Sequence, residues 1–229
     1  MRSLLFFLLL LPSILFSQSN SKFLNIFTLG DSNGAAAEGW PKQLQLALPD
    51  AQVLNISRGG RTIGFVNNGD SGLNSLLVID DNLAKAAEFT RERPFDFIVM
   101  ELGTNDAKAV FADRQKEVPG NLEKLIKKIK GSRYPTISKA KIIIVSPPPF
   151  GSMTETTEKY RGGNQRVKAM SKAFAKIARR NGCLFVNGYN TPGLNIETMT
   201  ADGIHLDALA SKKLIDPVVS LMLNETNKR

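Results

Sequence analysis

The sequence predicts a three-layer α/β/α domain built around a mostly parallel sheet. Five short apolar segments recur along the chain, and a longer segment with a helical pattern separates each from the next. Strands of a parallel sheet are buried on both faces, so they read as continuous apolar runs. Alternation of such runs with helical patterns is typical of βαβ units. The 229 residues, 42% of them hydrophobic, are enough for one domain with a full core.

The predicted strands are rich in β-branched residues and phenylalanine, which suit a buried pleated surface. The first strand ends at Gly30. The fourth ends where three consecutive prolines begin at Pro147, because proline cannot donate to a strand ladder. The five strands are predicted at residues 25–29, 51–55, 95–101, 141–146 and 184–187.

The segments between the strands carry helix signals. Pro41 lies near the start of the first helix, where its fixed φ is well tolerated. Apolar residues recur three or four positions apart in the third and fourth helices. The segment 61–80 is rich in glycine and asparagine, so we predict a loop there. Such a loop could close over the substrate as a lid. The helices are predicted at residues 40–47, 82–93, 122–129, 167–177 and 206–223.

The N-terminus has the three-part layout of a signal peptide. A positive charge at Arg2 precedes an apolar run, and a small residue, Ser17, precedes a polar stretch. The run is short for a membrane span and is interrupted by Pro12. We therefore expect a signal peptide at 1–17, a single domain at 22–229, and export to the periplasm or the cell exterior without stable membrane insertion after cleavage. An uncleaved anchor is the alternative.

Composition narrows the classes of partner. The net charge of +9 would attract polyanions, but aromatic residues are few and no known nucleic-acid-binding motif is present. We therefore expect no nucleic-acid partner. The single cysteine, Cys183, excludes an intramolecular disulfide and a cysteine-based metal cluster, so stability must come from the core.

A serine follows the first strand, in the segment Gly-Asp-Ser-Asn-Gly at residues 30–34. Open α/β sheets place their sites at the carboxyl ends of their strands, and the glycines permit a tight turn there. Ser32 is therefore a candidate nucleophile. The same residue types also make ordinary turns, which is the alternative interpretation.

A serine hydroxyl needs a base to take its proton, and the chain contains one histidine, His205. It lies between the fifth strand and the last helix, so it can reach the same edge of the sheet as Ser32. Asp202, three residues earlier, can accept from its Nδ1–H, which fixes the tautomer and stabilises the imidazolium. The alternative is a histidine at a helix start, with Asp202 or Asp207 as the cap.

Two further loops can supply hydrogen-bond donors. Asn105 follows the third strand, where its side-chain amide could face a developing oxyanion. The second strand leads into a loop with Gly59 and Gly60, and a backbone N–H there could be a second donor. Arg58 and Arg61 flank these glycines and are either solvated or able to attract an acidic substrate.

Taken together, these segments resemble the four signature blocks of the SGNH hydrolases, also called GDSL-like esterases and lipases. They follow strands one, two, three and five in order. The resemblance extends from the first strand to the last helix, so residues 22–229 are identified as a single SGNH hydrolase domain. The matching residues are Gly30-Asp31-Ser32, Gly60, Gly103-Thr104-Asn105-Asp106 and Asp202-Gly203-Ile204-His205.

The resemblance implies roles for these residues. Ser32 is implied as nucleophile, His205 as general base and Asp202 as the residue that orients it. The implied oxyanion donors are the N–H groups of Ser32 and Gly60 and the side chain of Asn105. The resemblance also implies a five-stranded parallel sheet in the flavodoxin-like order 2-1-3-4-5, with no metal and no organic cofactor.

The second block is the loosest match. The family pattern commonly has two glycines spaced three apart, and here Ser57 replaces the first of them. Gly59 therefore remains an alternative to Gly60 as the donor. Asp31 and Asp106 are expected to hold their loops through backbone hydrogen bonds.

The substrate is inferred by resemblance to arylesterases and carbohydrate acetylesterases. We expect a serine ester hydrolase that removes small acyl groups, such as acetyl, from small-molecule or polysaccharide esters of carbohydrates or aryl alcohols. A lysophospholipase or acyl thioesterase with a longer acyl groove is the first alternative. A non-catalytic carbohydrate-binding protein on a hydrolase fold is the second.

Overall fold

The computed structural model describes residues 23–91 and 93–228. The predicted signal peptide at 1–17 lies outside the described residues, as does residue 22, where the predicted domain begins. Five strands form one sheet in the order β2-β1-β3-β4-β5, and every neighbouring pair is parallel, which confirms the predicted topology. The strands are β1 Asn25–Gly30, β2 Gln52–Asn55, β3 Phe97–Glu101, β4 Lys141–Val145 and β5 Leu184–Val186.

The strand register places three loops at one edge of the sheet. Gly30 at the end of β1 is the partner of Glu101 at the end of β3, and Glu101 is the partner of Val145 at the end of β4. All the strands run in the same direction, so the segments that follow them leave from the same side. This is the edge at which an open parallel sheet binds its ligands.

Helices cover both faces of the sheet. One core contains the side chains of Ile98 and Met100 from β3 with apolar residues of α3, α4 and α6. The other contains Phe97 and Val99 from the same strand with Trp40 of α2 and residues of α7. The three-layer prediction is confirmed. The helices are α1 Ser32–Ala35, α2 Trp40–Ala47, α3 Ser75–Thr90, α4 Val118–Lys130, α5 Pro135–Ser138, α6 Gly163–Arg180 and α7 Ala208–Asn227.

The prediction of a loop over 61–80 is wrong in its last six residues, because α3 begins at Ser75 rather than near residue 82. The side chain of Asn74 accepts a hydrogen bond from the N–H of Leu76 and so caps the helix. Ile79, in the first half of the helix, is fully buried. An asparagine that the sequence analysis assigned to a loop is therefore the start signal of a helix.

The remaining part of that segment is anchored rather than loose. Ile63 and Phe65 belong to the core and are almost completely buried. The hydroxyl of Thr62 donates to the carbonyl of Phe65 at 2.6 Å, and the hydroxyl of Ser75 donates to the carbonyl of Thr62 at 2.6 Å.

The helices that the structure describes include none with the length and hydrophobicity of a membrane span.

Candidate active site

The turn after β1 holds Ser32 at the first position of α1. Asp31 caps this short helix, because its Oδ1 accepts the N–H of Asn33 at 3.0 Å. The turn packs closely against the loop after β2. The side chain of Asn55 donates to the carbonyl of Gly34 at 2.9 Å, and a Cβ at Gly34 would overlap the side chain of Ser57. Glycine is therefore required at residue 34. Ser32 itself is half-buried.

The structure brings together three residues that the sequence analysis singled out. His205 Nε2 lies 3.1 Å from the hydroxyl oxygen of Ser32, although 173 residues separate them in the chain. His205 Nδ1 lies 2.5 Å from Oδ2 of Asp202. The imidazole is thus placed between a carboxylate and a hydroxyl. In this arrangement a histidine can remove the serine proton while the carboxylate stabilises the imidazolium that forms.

Local hydrogen bonds orient Asp202. Its Oδ1 accepts the N–H groups of Ile204 and His205 at 2.9 and 2.8 Å, around a turn that Gly203 permits with a φ of +75°. Burial by itself would raise the pKa of Asp202. The hydrogen bonds from His205 and Ile204 outweigh it, and the pKa lies below its ordinary value. Asp202 is therefore ionised at neutral pH and can hold a proton on Nδ1 of His205.

Of the two residues considered as helix caps, the structure confirms Asp207 and not Asp202 in that role. Asp207 caps α7 and accepts the N–H of Ala210 at 2.7 Å. His205 precedes this cap, and its side chain is 52% exposed, against 50% for Asp202. An ester that approaches this edge of the sheet can therefore reach the imidazole.

Asn33 holds the histidine loop against the serine turn, a role that the sequence analysis did not predict. Its Nδ2 donates to the carbonyl of Ile204 at 3.3 Å, and its Oδ1 accepts the N–H of Leu206 at 2.9 Å. The two bonds lie on either side of His205. No local pattern could reveal this, because the partners are more than 170 residues away.

Replacing Asn33 by alanine is expected to lower kcat about 10- to 100-fold and to change KM little, because a small displacement of His205 from Ser32 is costly. Steady-state kinetics with p-nitrophenyl acetate would measure the effect. Asn33→Asp keeps the acceptor for Leu206 but loses the donor to Ile204, so we expect an intermediate loss. An unchanged kcat for Asn33→Ala would contradict a positioning role.

The loop after β2 carries Gly60 in a conformation that favours glycine, with a φ of +80°. Gly59 does not share this conformation, and a Cβ there would meet no atom within 4 Å. The side chain of Asn67 donates to the carbonyl of Gly60 at 2.6 Å. The geometry therefore distinguishes the two glycines: residue 60 is held in place, and residue 59 faces open space.

Asn105 is joined to the same loop. Its Nδ2 donates to the carbonyl of Arg61 at 3.1 Å, and the residue is 4% exposed. Both carboxylate oxygens of the neighbouring Asp106 accept the N–H of Ile63, at 3.1 and 3.0 Å. Burial raises the pKa of Asp106 to about 7, although these backbone bonds oppose the increase. The loops after β2 and β3 thus form one hydrogen-bonded unit beside Ser32.

Lys108 is a further residue that the sequence analysis missed. Its Nζ donates to Oδ1 of Asn67 at 3.1 Å, and Asn67 in turn holds the carbonyl of Gly60. Burial, followed by the charge of Lys159, lowers the pKa of Lys108 to about 8. A buried lysine is thus connected through one amide to the glycine loop.

Over residues 23–91 and 93–228, no cluster of three or more His, Cys, Asp and Glu side chains is arranged to hold a metal ion.

A family model described as the GDSL-like lipase/acylhydrolase family matches residues 27–213. The chain belongs to this family. The match covers the serine turn, the loops after β2 and β3, and the segment with Asp202 and His205, so the resemblance to the SGNH/GDSL hydrolases is confirmed. Comparison with the sequences of curated proteins gives no match.

Solved structures of similar proteins agree with this GDSL-like fold. A carbohydrate acetylesterase family member from Sinorhizobium meliloti is 26% identical, with a TM-score of 0.71 over 88% of this chain and 100% of the other. Est24, a carbohydrate acetylesterase from the same organism, is 21% identical, with a TM-score of 0.74 over 88% of this chain and 99% of the other. An aryl esterase of M. smegmatis is 22% identical, with a TM-score of 0.73 over 88% of this chain and 99% of the other. This GDSL-like protein is a carboxylic ester hydrolase.

Proposed function

We propose that this protein is an exported serine esterase that removes small acyl groups, such as acetyl, from carbohydrate or aryl esters. Ser32 is the nucleophile, His205 the general base and Asp202 the residue that orients it. The observation that carries the proposal is the pair of contacts on one imidazole: Nε2 at 3.1 Å from the Ser32 hydroxyl and Nδ1 at 2.5 Å from Asp202.

The reaction proceeds in two acyl-transfer steps. Ser32 Oγ attacks the ester carbonyl carbon while His205 Nε2 takes its proton. The tetrahedral intermediate then breaks its bond to the alcohol, whose oxygen receives that proton from the imidazolium. Water then attacks the acyl-serine while His205 Nε2 takes its proton. The second tetrahedral intermediate breaks its bond to Ser32 Oγ, which receives that proton from the imidazolium. The products are the carboxylic acid and the regenerated hydroxyl, and Asp202 stays ionised throughout.

Three donors are proposed to stabilise the negative oxygen of each tetrahedral intermediate. They are the N–H of Ser32, the N–H of Gly60 and one N–H of the Asn105 side chain. Helical N–H groups in the first turn have no intrahelical acceptor, which leaves that of Ser32 available. Asn105 uses one of its two amide hydrogens on the carbonyl of Arg61, so the other can face the substrate. Each such donor can stabilise the transition state by roughly 3 kcal/mol.

The acyl preference is inferred from similarity to solved structures. The 26% identical structure is described as a member of the carbohydrate acetylesterase family. Arg58, which directly precedes Gly59, is exposed, and its guanidinium pairs with Asp70 at 3.0 Å. An acidic group on a substrate would therefore compete with Asp70 for this arginine, and a neutral acetylated substrate would not.

Acyl length can be tested with p-nitrophenyl acetate, butyrate and laurate, together with acetylated xylo-oligosaccharides. We expect kcat/KM for acetate to exceed that for laurate by about tenfold or more. A groove that matched a long acyl chain would gain about 0.8 kcal/mol of binding for each buried methylene and would reverse this order. A preference for laurate would contradict the small-acyl assignment and support a lysophospholipase or acyl thioesterase.

Catalysis itself can be tested independently of the substrate. A fluorophosphonate probe reacts with an activated serine, so we expect a single covalent adduct on Ser32, located by peptide mass spectrometry. Folded protein that takes up no probe at Ser32 would contradict the esterase proposal. That result would support a non-catalytic carbohydrate-binding protein.

Export is proposed from residues 1–17 alone. If this segment is a cleaved signal peptide, protein recovered from the periplasm or medium should begin near Gln18, which N-terminal sequencing would show. Recovery of the full-length chain with the membrane fraction would support an uncleaved anchor instead.

A further inference from the structure

The glycine loop after β2 is a four-residue turn that starts beside the serine turn. The N–H of Arg58 donates to the carbonyl of Gly30 at 3.1 Å, and the N–H of Arg61 donates to the carbonyl of Arg58 at 3.1 Å. Gly60, at the third position, has a φ of +80°, which is typical of a type II turn. Among the described residues, no backbone carbonyl accepts the N–H of Gly60. This N–H is therefore available to a substrate.

The side chain of Asn67 fixes the Gly60 turn, which comprises residues 58–61. Asn67 is 1% exposed, and its Nδ2 donates to the carbonyl of Gly60 at 2.6 Å. That carbonyl and the N–H of Arg61 belong to one planar peptide unit, so hydrogen bonds hold the unit at both ends. A fixed peptide unit after Gly60 limits the directions that the Gly60 N–H can take. The aim of this proposed oxyanion donor therefore depends on the amide of Asn67.

Lys108 decides which way that amide points. An amide has an accepting oxygen and a donating NH₂ group, whereas an ammonium group can only donate. Lys108 Nζ donates to Oδ1 of Asn67 at 3.1 Å, which leaves Nδ2 directed at the carbonyl of Gly60. In a reversed amide, the NH₂ group would face the ammonium group and the oxygen would face the carbonyl oxygen. Both contacts would be repulsive, so Lys108 excludes that arrangement.

The burial of Lys108 makes a purely structural role costly. The residue is 4% exposed, and burial is the largest cause of the lowering of its pKa to about 8. The charge of Lys159 lowers this pKa further, and the charges of Asp31 and Asp106 raise it. An apolar side chain of similar length would fill the same space without desolvating a charge, and such replacements are often neutral or stabilising. A buried charge that stability does not require favours a role in the reaction.

We propose that Lys108 is a positioning residue for the oxyanion site: through the amide of Asn67 it holds the Gly60 turn so that the Gly60 N–H points at the carbonyl oxygen of the ester. The inference rests on the proposed function, in which Gly60 is an oxyanion donor. Lys108 acts through Asn67 and not as an acid or a base. Its loss should therefore weaken the stabilisation of the tetrahedral intermediate and leave the binding of the intact ester nearly unchanged.

Steady-state kinetics with p-nitrophenyl acetate test this role. Lys108→Met keeps most of the length of the side chain and removes the ammonium group. We expect kcat to fall about 10- to 100-fold while KM changes less than about twofold, because the oxyanion donor is displaced rather than lost. Lys172→Met is the matched control, because Lys172 is exposed on α6, and it should keep the wild-type kcat. An unchanged kcat in Lys108→Met, or a rise in KM that accounts for the whole loss in kcat/KM, would overturn the proposal.

A double-mutant cycle tests whether Lys108 acts through Asn67. Asn67→Leu removes both hydrogen bonds of the amide at similar volume, so it should lower kcat at least as much as Lys108→Met. Without the amide the lysine has nothing to orient, so the double variant should be no slower than Asn67→Leu alone. Losses that multiply in the double variant would show that the two residues act independently, which would contradict the proposal.

Fluorophosphonate labelling and Tm separate positioning from a loss of folded protein. The phosphonyl oxygen occupies the oxyanion site as Ser32 attacks, so labelling of Lys108→Met should slow about as much as kcat while the final adduct stays complete. Removal of a buried charge favours folding and loss of the donor to Asn67 opposes it, so Tm should shift by less than about 5 °C.

Two results of these measurements would overturn the inference. One is a wild-type rate of labelling in Lys108→Met, and the other is a fall in kcat that matches a smaller labelled fraction. The absence of an adduct on Ser32 in wild-type protein would instead contradict the esterase proposal, so the two failures are distinguishable.

Discussion

Replacing Ser32 by alanine is expected to lower kcat/KM for p-nitrophenyl acetate by about four to six orders of magnitude. Without the Oγ, no acyl-enzyme can form, and water would have to attack the ester directly in a site whose donors remain. The residual rate should still exceed the uncatalysed rate, because oxyanion stabilisation and binding survive the loss of the nucleophile. KM is expected to change little, since the hydroxyl contributes to the reaction rather than to ground-state binding.

A matched control for this variant is Ser220→Ala. Ser220 is exposed on α7, and its hydroxyl donates only to the carbonyl of Asp216 one turn earlier. Its loss should leave both kcat/KM and fluorophosphonate labelling unchanged. Activity within about tenfold of wild type in Ser32→Ala would contradict the assignment of Ser32 as nucleophile.

Replacing His205 by alanine should cost about as much as the loss of Ser32, because the two residues act as one unit in proton transfer. Asp202→Asn is expected to cost a comparable factor or less, up to about 10⁴-fold in kcat. The asparagine oxygen can still accept the N–H groups that Asp202 accepts, so the turn is kept. Its NH₂ group would then face Nδ1 of His205, which favours a proton on Nε2, the nitrogen that must receive the proton of Ser32.

Circular dichroism and steady-state kinetics on the two variants would measure this difference. Asp216→Asn serves as the control, because Asp216 pairs with Lys212 on an exposed face of α7. Surface ion pairs contribute little to stability, so the control should retain wild-type kcat. Full activity of folded Asp202→Asn would contradict an orienting role for Asp202.

The strands and the position of the serine could be predicted from the sequence because their signals are local. Each strand is a short apolar run bounded by turn residues, and a serine that ends the first of them must lie at the carboxyl edge of a parallel sheet. The order 2-1-3-4-5 came from the family resemblance, since apolar runs alone do not specify which strands pair. The start of α3 was missed because the cap at Asn74 lies among residues that are equally common in loops.

The sequence by itself predicted the fold class, because apolar runs alternate with helical patterns along the chain. It predicted the family and the candidate site residues through the resemblance of four short segments to the SGNH/GDSL signature blocks. Only the tertiary structure decided how those residues meet. Asn33 holds both sides of His205, and Gly60 rather than Gly59 is fixed by Asn67. Each of these depends on contacts between distant segments, and the same residue types would be unremarkable turn or strand residues in another chain environment.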